Sequence, residues 1–438
     1  MSNFEIGVYS IVAVLVIIQT GMHIAIAMML VSFIGVWAIK GSAVAGKLLA
    51  LSAAEKIASY AFGVIPLFVM MGLLVAAGDI GKDTFSAASR LLHRLKGGLA
   101  MSTVGANAVF AAVTGSSIAS ASVFTKVAVP EMVRHNYQPR FAVGVVAGSS
   151  VLGMLIPPSM LMIIYGIVTE TSIGDLFIAG IIPGLLLALS FILLILFMAI
   201  RSPEKVWTED YAAIKDDVHE DESMFLVWMK LLPIGLLMAM VVGGIYGGFF
   251  TPTEAGGVGT FGALIIGVVR RKLNFQKLWG VAIETGYVTA SICFLLIAAQ
   301  LYASMLAMSG VPSQTAALIA EADFSYVTII LGYVLLVLIL GTFLESVSIM
   351  LILLPFVVPL LAVFGSDLIW FGIVTVLACE VGLLTPPLGL ACFVIKANLQ
   401  DSRIQLIDVF AGAIPFMLVM LLVLALIVAV PELSLMLL

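Results

Sequence analysis

Apolar runs of bilayer length follow one another along nearly the whole chain, separated by short polar interruptions. A run of roughly 20 apolar residues is long enough to cross a hydrocarbon core. The pattern predicts helices at about 3–20, 22–39, 60–79, 141–165, 177–200, 225–248, 254–269, 280–308, 368–395 and 406–430. The one long polar stretch, "RSPEKVWTEDYAAIKDDVHEDESM" (201–224), reads as a solvated cytoplasmic loop and divides the chain into halves. Two apolar helices are interrupted by paired prolines, in "LGMLIPPSML" (152–161) and "VGLLTPPLGL" (381–390). Proline removes a backbone donor and clashes with the preceding turn, so each pair should break its helix.

Basic residues mark cytoplasmic loops of a membrane chain. They cluster at Arg90, Arg94 and Lys96; at Arg134 and Arg140; at Arg201 and Lys205; and at Arg270, Arg271, Lys272 and Lys277, with a weaker pair at Lys396 and Arg403. The stretch between Lys96 and Arg134 is apolar with basic flanks on both sides. As one helix it would run about 50 Å at 1.5 Å per residue, too long for a core of about 30 Å. It should turn back at "VTGSSIAS" (113–120) and form a re-entrant hairpin from the cytoplasm. The segment from about 325 to 366 has acidic flanks, Asp323 and Asp367, and a polar centre, "GTFLESVS" (341–348), and should enter from outside. This topology puts both termini outside. It also leaves Lys40, Lys47 and Lys56 outside, against the trend of the other clusters.

The two halves share a pattern. An offset of 229 aligns Pro157 and Pro158 with Pro386 and Pro387, Gly153 with Gly382, Pro130 with Pro359, and Ser116 and Ser117 with Glu345 and Ser346. "AGIIP" (179–183) matches "AGAIP" (411–415) at 232. The expected fold is therefore an all-α polytopic membrane protein built as an inverted repeat, with about ten crossing helices and two re-entrant hairpins. The first repeat is 1–224, with a hairpin at about 97–133 and a broken helix at about 141–165. The second is 225–438, with a hairpin at about 325–366 and a broken helix at about 368–395. Inverted repeats with discontinuous helices are the pattern of secondary transporters, whose ligands bind where unwound backbone lines a midplane cavity.

Composition agrees. The 438 residues are 62% hydrophobic and only 10% charged, with mean hydropathy +1.23. A net charge of −5 argues against a nucleic-acid partner. The N-terminus carries Glu5 and no basic region, so it reads as a first membrane helix and not a cleaved signal. Cys293, Cys379 and Cys392 lie in apolar segments without metal-like spacing and read as free thiols. The four histidines are scattered and no P-loop or H-E-x-x-H occurs, so no nucleophile, metal set or cofactor motif supports an enzyme.

The candidate site residues cluster at the two tips and two breaks. Ser116 and Ser117 should cap the second arm of the first hairpin and point at the break around Gly153 and Pro157; packing is the simpler reading, but their alignment with the second tip favours a site. Glu345 is an acid at that second tip, with Gly341, Thr342 and Ser346 beside it, and intramembrane carboxylates are functional candidates by default. Thr385, beside Gly382 and Pro386, offers a hydroxyl and a carbonyl suited to a hard cation. Glu380 is either an ion or proton group or a residue paired inside the bundle. Ser149, Ser150 and Ser159 flank the first break and are weaker candidates, since serines in membrane helices often bond their own backbone. "TPTEAGG" (251–257) reads as a helix cap, and the GxxxG spacings Gly144/Gly148 and Gly243/Gly247 suggest close helix contacts.

The run from "GSSIASASVFTKVAVPEM" through "LGMLIPPSMLMIIYGIVTETSIGDLFIAGIIPGLL" (115–186), with "GGFFTPTEAGGVG" (247–259) and "VGLLTPPLGL", resembles the large membrane subunit of tripartite ATP-independent periplasmic (TRAP) transporters. The resemblance spans nearly the whole chain in order. It implies an elevator-type protein of the bacterial inner membrane, taking up an organic acid delivered by a periplasmic substrate-binding protein. It implies Na+ as coupling ion and a small four-helix membrane subunit as partner, not fused here because nothing precedes the first helix. Carried onto this chain, the Na+ and substrate region falls on Ser116 and Ser117 with the break at Gly153 to Pro158, and on Gly341 to Ser346 with the break at Gly382 to Pro387. Relatives often carry a polar residue where this chain has Ala391 and Cys392, which leaves the substrate class open. Energetics also favour ion coupling: an interior-negative potential opposes anion uptake by about 2.3 kcal/mol per charge per 100 mV. A stand-alone Na+/dicarboxylate symporter of similar two-hairpin design is the alternative; "LGMLIPPS" and "TPTE" argue against it.

Overall fold

The computed structural model describes residues 1–92, 94–208, 223–322, 324–399, 401 and 403–438. Most of the polar loop, at 209–222, and the flanking Asp323 therefore lie outside the described residues. The described chain is helical throughout. The first half contains α1 (Asn3–Gln19), α2 (Ile24–Lys40), α3 (Ser42–Ala58), α4 (Val64–Ala77), α5 (Ile80–Leu92), α6 (Gly98–Thr114), α7 (Ser117–Arg134), α8 (Pro139–Ser150), α9 (Leu152–Leu155), α10 (Met160–Thr169), α11 (Ile173–Arg201) and α12 (Pro203–Val206). The second contains α13 (Met224–Tyr246), α14 (Pro252–Val269), α15 (Phe275–Ser309), α16 (Val311–Glu321), α17 (Tyr326–Gly341), α18 (Ser346–Val363), α19 (Leu368–Leu384), α20 (Leu390–Asn398), α21 (Leu406–Ala429) and α22 (Glu432–Leu435). Among the described residues, seven helices are long and apolar enough to cross a membrane. The pair Pro139–Leu155 and Met160–Thr169, bent by 40°, is together long and apolar enough for a broken span or a re-entrant loop.

Helix starts are written locally. Ser2 with Glu5 and Thr251 with Glu254 form reciprocal capping boxes at α1 and α14. Asp367 accepts two backbone N–H groups at the start of α19. The "TPTE" run is thus a helix start, with Thr251 as the capping residue.

The offset of 229 carries α7 onto α18 end for end, α8 with α9 onto α19, and α10 onto α20 to within one residue. It also carries α5 onto α16 and α2 onto α14. Three helices longer than one turn fall outside the expected spans, α5, α16 and α3; α3 occupies a stretch containing Lys47, Glu55 and Lys56, too polar to stand out as an apolar run. Its place in the other half is taken by the first half of α15, which continues unbroken for 35 residues where the first half interrupts at Ser59.

Burial identifies the centre. In α6, 14 of 17 residues are buried, and in α19, 15 of 17. In α13 only 5 of 23 are buried. Since α13 is just as apolar in sequence, its exposed side chains face the surroundings a membrane would fill. The GxxxG at Gly144/Gly148 is a contact: Gly144 lies against the backbone of Gly412 and Gly148 against the Phe416 ring, joining α8 to α21. At Gly243/Gly247 no second helix approaches; Gly243 has open space and Gly247 faces Phe249 of its own turn.

The helix α5 follows the α4 turn at Asp79 and is amphipathic. It is held by charges from the other half: Arg270 pairs with Asp83, Lys272 with Asp79 at 3.3 Å, and Lys230 donates to Ser86 at 3.1 Å. Cys293, Cys379 and Cys392 are free thiols.

Candidate functional site

The first tip is a two-residue turn. Gly115 holds φ +59, a conformation open to glycine without strain. The absence of a side chain also lets the tip sit on the first break: a Cβ at Gly115 would lie 3.3 Å from Met160 N and 3.4 Å from Pro158 O. Ser116 then caps α7 by accepting the Ala119 N–H at 3.2 Å. Ser117, the next residue, does not cap. It opens the first turn of α7 facing inward, 1% exposed, and its Oγ has no hydrogen-bond partner.

The second tip, Thr342 to Glu345, joins α17 to α18. Gly341 at the end of α17 meets Gly382 of α19 backbone to backbone. A Cβ at Gly341 would lie 2.6 Å from Gly382 Cα, and one at Gly382 2.7 Å from Gly341 Cα. Only two glycines permit that approach. Ser346 opens α18 and donates from Oγ to Glu380 Oε1 at 3.0 Å.

Glu380 is where the halves meet. It is 1% exposed on α19, and among the described residues no basic side chain pairs with it. Ser346 reaches it from the second tip, and Ser117 from the first tip lies beside the same carboxylate. Ser117 Oγ and Glu380 Oε2 nevertheless both stay without a well-formed hydrogen bond. The two serines are partners under the 229 offset; the position matching Glu380 is Val151. One asymmetric carboxylate thus serves a symmetric pair of hydroxyls. Each serine is the first residue of its helix, so two helix N-termini, each with a partial positive charge, face the carboxylate. A buried carboxylate oxygen and a buried hydroxyl left unpaired are costly, and oxygen of this kind is what a hard cation takes.

The other predicted residues divide. Thr342 and Thr385 donate to Ile339 O and Val381 O of their own helices, at 2.8 and 2.9 Å, which leaves their oxygen lone pairs free to accept. Glu345 sits one residue before Ser346 but points elsewhere, accepting Ser348 Oγ at 3.1 Å. Ser150 donates to Ala147 O at 2.9 Å within α8 and takes no part in the cluster. Gly153 packs against the Ala111 backbone of α6. Ser159 caps α10 and donates to Met154 O, bridging the first break. The two breaks differ: Pro157 and Pro158 are buried, whereas Pro386, Pro387 and Leu388 are exposed.

Behind the first tip lies a network not expected from the sequence. Asn107 of α6 donates to Ser149 of α8 at 2.8 Å and accepts from Ser120 of α7. All three are fully buried and tie the two arms of the hairpin to the broken helix. The signal was present in the sequence as the only asparagine in an otherwise apolar or small-residue arm.

Comparisons with known proteins bear on the family and the fold. The chain is 33% identical over 392 residues to the C4-dicarboxylate TRAP transporter large permease protein DctM of Pseudomonas aeruginosa, covering 88% of each. It is 31% identical over 380 residues to the sialic acid TRAP transporter large permease protein SiaM of Vibrio cholerae, covering 85% of each. In fold it is similar to the YdaH transporter of Alcanivorax borkumensis, with TM-score 0.60 and 14% identity over 84% of this chain and 85% of that one. It is likewise similar to MtrF of Neisseria gonorrhoeae, with TM-score 0.60 and 12% identity over 90% and 85%. Residues 11–433 match the tripartite ATP-independent periplasmic transporter, DctM component, and the chain is a member of that family of transporter membrane subunits.

Proposed function

We propose that this chain is the transport subunit for Na+-coupled uptake of an organic anion across a bacterial inner membrane. The anion is handed over by a soluble periplasmic binding protein, and a small membrane subunit completes the assembly. The observation that carries the reading is the convergence of Ser117 and Ser346, one from each tip, on the buried and half-satisfied Glu380. Relatives named for C4-dicarboxylates, sialic acid, isethionate and 2,3-diketo-L-gulonate are all carriers of organic anions.

In this reading the two halves are inverted, the helix pairs α6–α7 and α17–α18 are re-entrant hairpins, and both termini are periplasmic. The tips act as gates on either side of one site. Ser117 Oγ and Glu380 Oε2 are the unpaired oxygens a Na+ ion would meet first, with Thr342, Thr385 and the backbone at Gly341 and Gly382 as further oxygen donors. With the ion bound, the Glu380 charge is compensated and both tips can close on it. Without it, an uncompensated carboxylate favours opening one tip to water. Ion occupancy thereby decides whether the central helices can move as an elevator past the remaining ones.

Reconstitution tests this. Proteoliposomes holding the chain and a small membrane subunit, supplied with a soluble binding protein, should take up anion only with an inward Na+ gradient. Uptake driven equally by K+, or vigorous uptake of free substrate without the binding protein, contradicts the reading. The second result would favour the stand-alone symporter.

A further inference from the structure

The first hairpin carries a charge that none of this uses. Lys126 is the only lysine or arginine between Lys96 and Arg134. It lies in α7, nine residues beyond Ser117, or about 14 Å along the helix axis. Among the described residues it has no ion-pair partner. By contrast Arg134 pairs with Glu131, Arg403 with Asp401, and Lys396 donates to the Ile404 carbonyl.

Its position on the helix is informative. The buried face of α7 runs through Ser117, Ser120, Ala121, Phe124, Thr125 and Ala128. Ile118, Ser122, Lys126 and Pro130 form another stripe at four-residue spacing, and of these only Ser122 is not exposed. Ser122 is half-buried because it donates to Asn398 of α20 at 3.0 Å. On α20 the residue Phe393 is 40% exposed, and Leu388 in the break before it is 42% exposed. Accessible residues therefore flank the α7–α20 contact from the second break down to Lys126. Nine residues from a midplane tip puts Lys126 about 14 Å out, near the edge of a core about 30 Å thick, where its ammonium can reach water. The offset of 229 puts uncharged Pro355 at the corresponding place in the second hairpin. The charge is thus a property of one side of the molecule and not of the repeated scaffold.

We infer that Lys126 receives the carboxylate of the transported anion on the cytoplasmic side of the tips, and so sets affinity for the anion at that face. This rests on the reading of the chain as an organic-anion carrier and adds to it a residue and a side. The exposed apolar residues Ile118 and Phe393 border the rest of the anion, and the Lys126 ammonium takes its charge as it leaves the ion site.

The test uses the reconstituted three-component transporter with succinate, N-acetylneuraminate and isethionate as probe anions. Exchange is measured with the anion varied on the cytoplasmic side. Lys126→Ala should raise the half-saturating concentration there about tenfold or more, the loss expected for one charge-assisted contact. Lys126→Arg should restore it, and the Na+ dependence should stay unchanged. An unchanged half-saturating concentration in Lys126→Ala, or equal impairment in the Ala and Arg variants, overturns the assignment. A second arm needs no substrate. With Cys293, Cys379 and Cys392 replaced by Ala, Lys126→Cys should react with a membrane-impermeant anionic thiosulfonate from the cytoplasmic side; failure to react overturns the assignment. Absence of Na+-driven uptake of all three anions by the unsubstituted chain contradicts the uptake reading itself. That result is read before any variant is compared.

Discussion

Ser346 Oγ donates to Glu380 Oε1 at 3.0 Å, so the first residue of the second hairpin's returning arm is fastened to the helix that ends at the second Pro-Pro break. Ser117, its partner in the other half, lies beside the same carboxylate without completing a bond. One side of the site is made and the other is left open.

The two serines should therefore behave differently. Ser346→Ala removes a bond to a charged acceptor and leaves both Glu380 oxygens unpaired, a loss of about 1.5–3 kcal/mol of stability. Ser117→Ala removes a hydroxyl that already lacks a partner, so its stability should stay within about 0.5 kcal/mol of the unsubstituted chain. Both should raise the Na+ concentration for half-maximal uptake. Thermal unfolding in detergent beside Na+ titration of uptake separates the two effects. Equal stability loss in the two variants would contradict the asymmetry.

Glu380→Gln keeps the shape of the side chain and removes its charge. Uptake should fall at least about tenfold, the size of one lost charged ligand, while thermal stability holds or rises because a buried charge is gone. Glu345→Gln should be milder, since Glu345 is half-buried and bonded only to Ser348 of its own helix. Initial-rate uptake at saturating Na+ for the two variants checks the ranking.

Glycine pairs are the other rigid feature. Gly341→Ala or Gly382→Ala puts a methyl group into the opposite backbone at 2.6–2.7 Å and should destabilise the chain by about 1–3 kcal/mol. Gly105→Ala, where nothing lies within 4 Å, should be neutral or stabilising by up to about 1 kcal/mol through helix propensity. Unfolding midpoints of the three variants decide it.

At the α5 clamp, Asp83→Asn should cost more than Asp79→Asn. Asp83 and Arg270 are each about a fifth to a quarter exposed, at 21% and 24%, whereas Asp79 and Lys272 are about half exposed, at 51% and 47%. Exposed pairs contribute roughly 0–1 kcal/mol, and Arg270 already has one buried nitrogen without a partner. A double-mutant cycle for each pair measures the coupling directly.

Much of this arrangement could be read from residue order because membrane chains repeat and because charge marks their loops. The turn at Gly115 followed from basic flanks at Lys96 and Arg134 around an overlong apolar run. The pairing of Ser117 with Ser346 followed from the offset between the two Pro-Pro breaks. What could not be read was which neighbour each side chain faces. Glu345 and Ser346 are adjacent, yet a step of one residue on a helix turns the side chain by about 100°, and only Ser346 reaches Glu380, which is 34 residues further on. The helix α3 escaped notice because its lysines break the apolar run, and Lys126 because one lysine does not change the character of an apolar arm. Asn107 shows a related limit: its partners Ser120 and Ser149 come from two other helices.

The most direct measurement is Na+-dependent stabilisation of the purified chain. A ligand that binds only the folded state raises stability by RT ln(1 + [L]/Kd). Melting temperature should rise as NaCl replaces choline chloride at constant ionic strength for the unsubstituted chain. The rise should be lost in Glu380→Gln and weakened in Ser117→Ala. An equal Na+-dependent rise in Glu380→Gln would contradict the claim that the two tips converge on an ion site at that carboxylate.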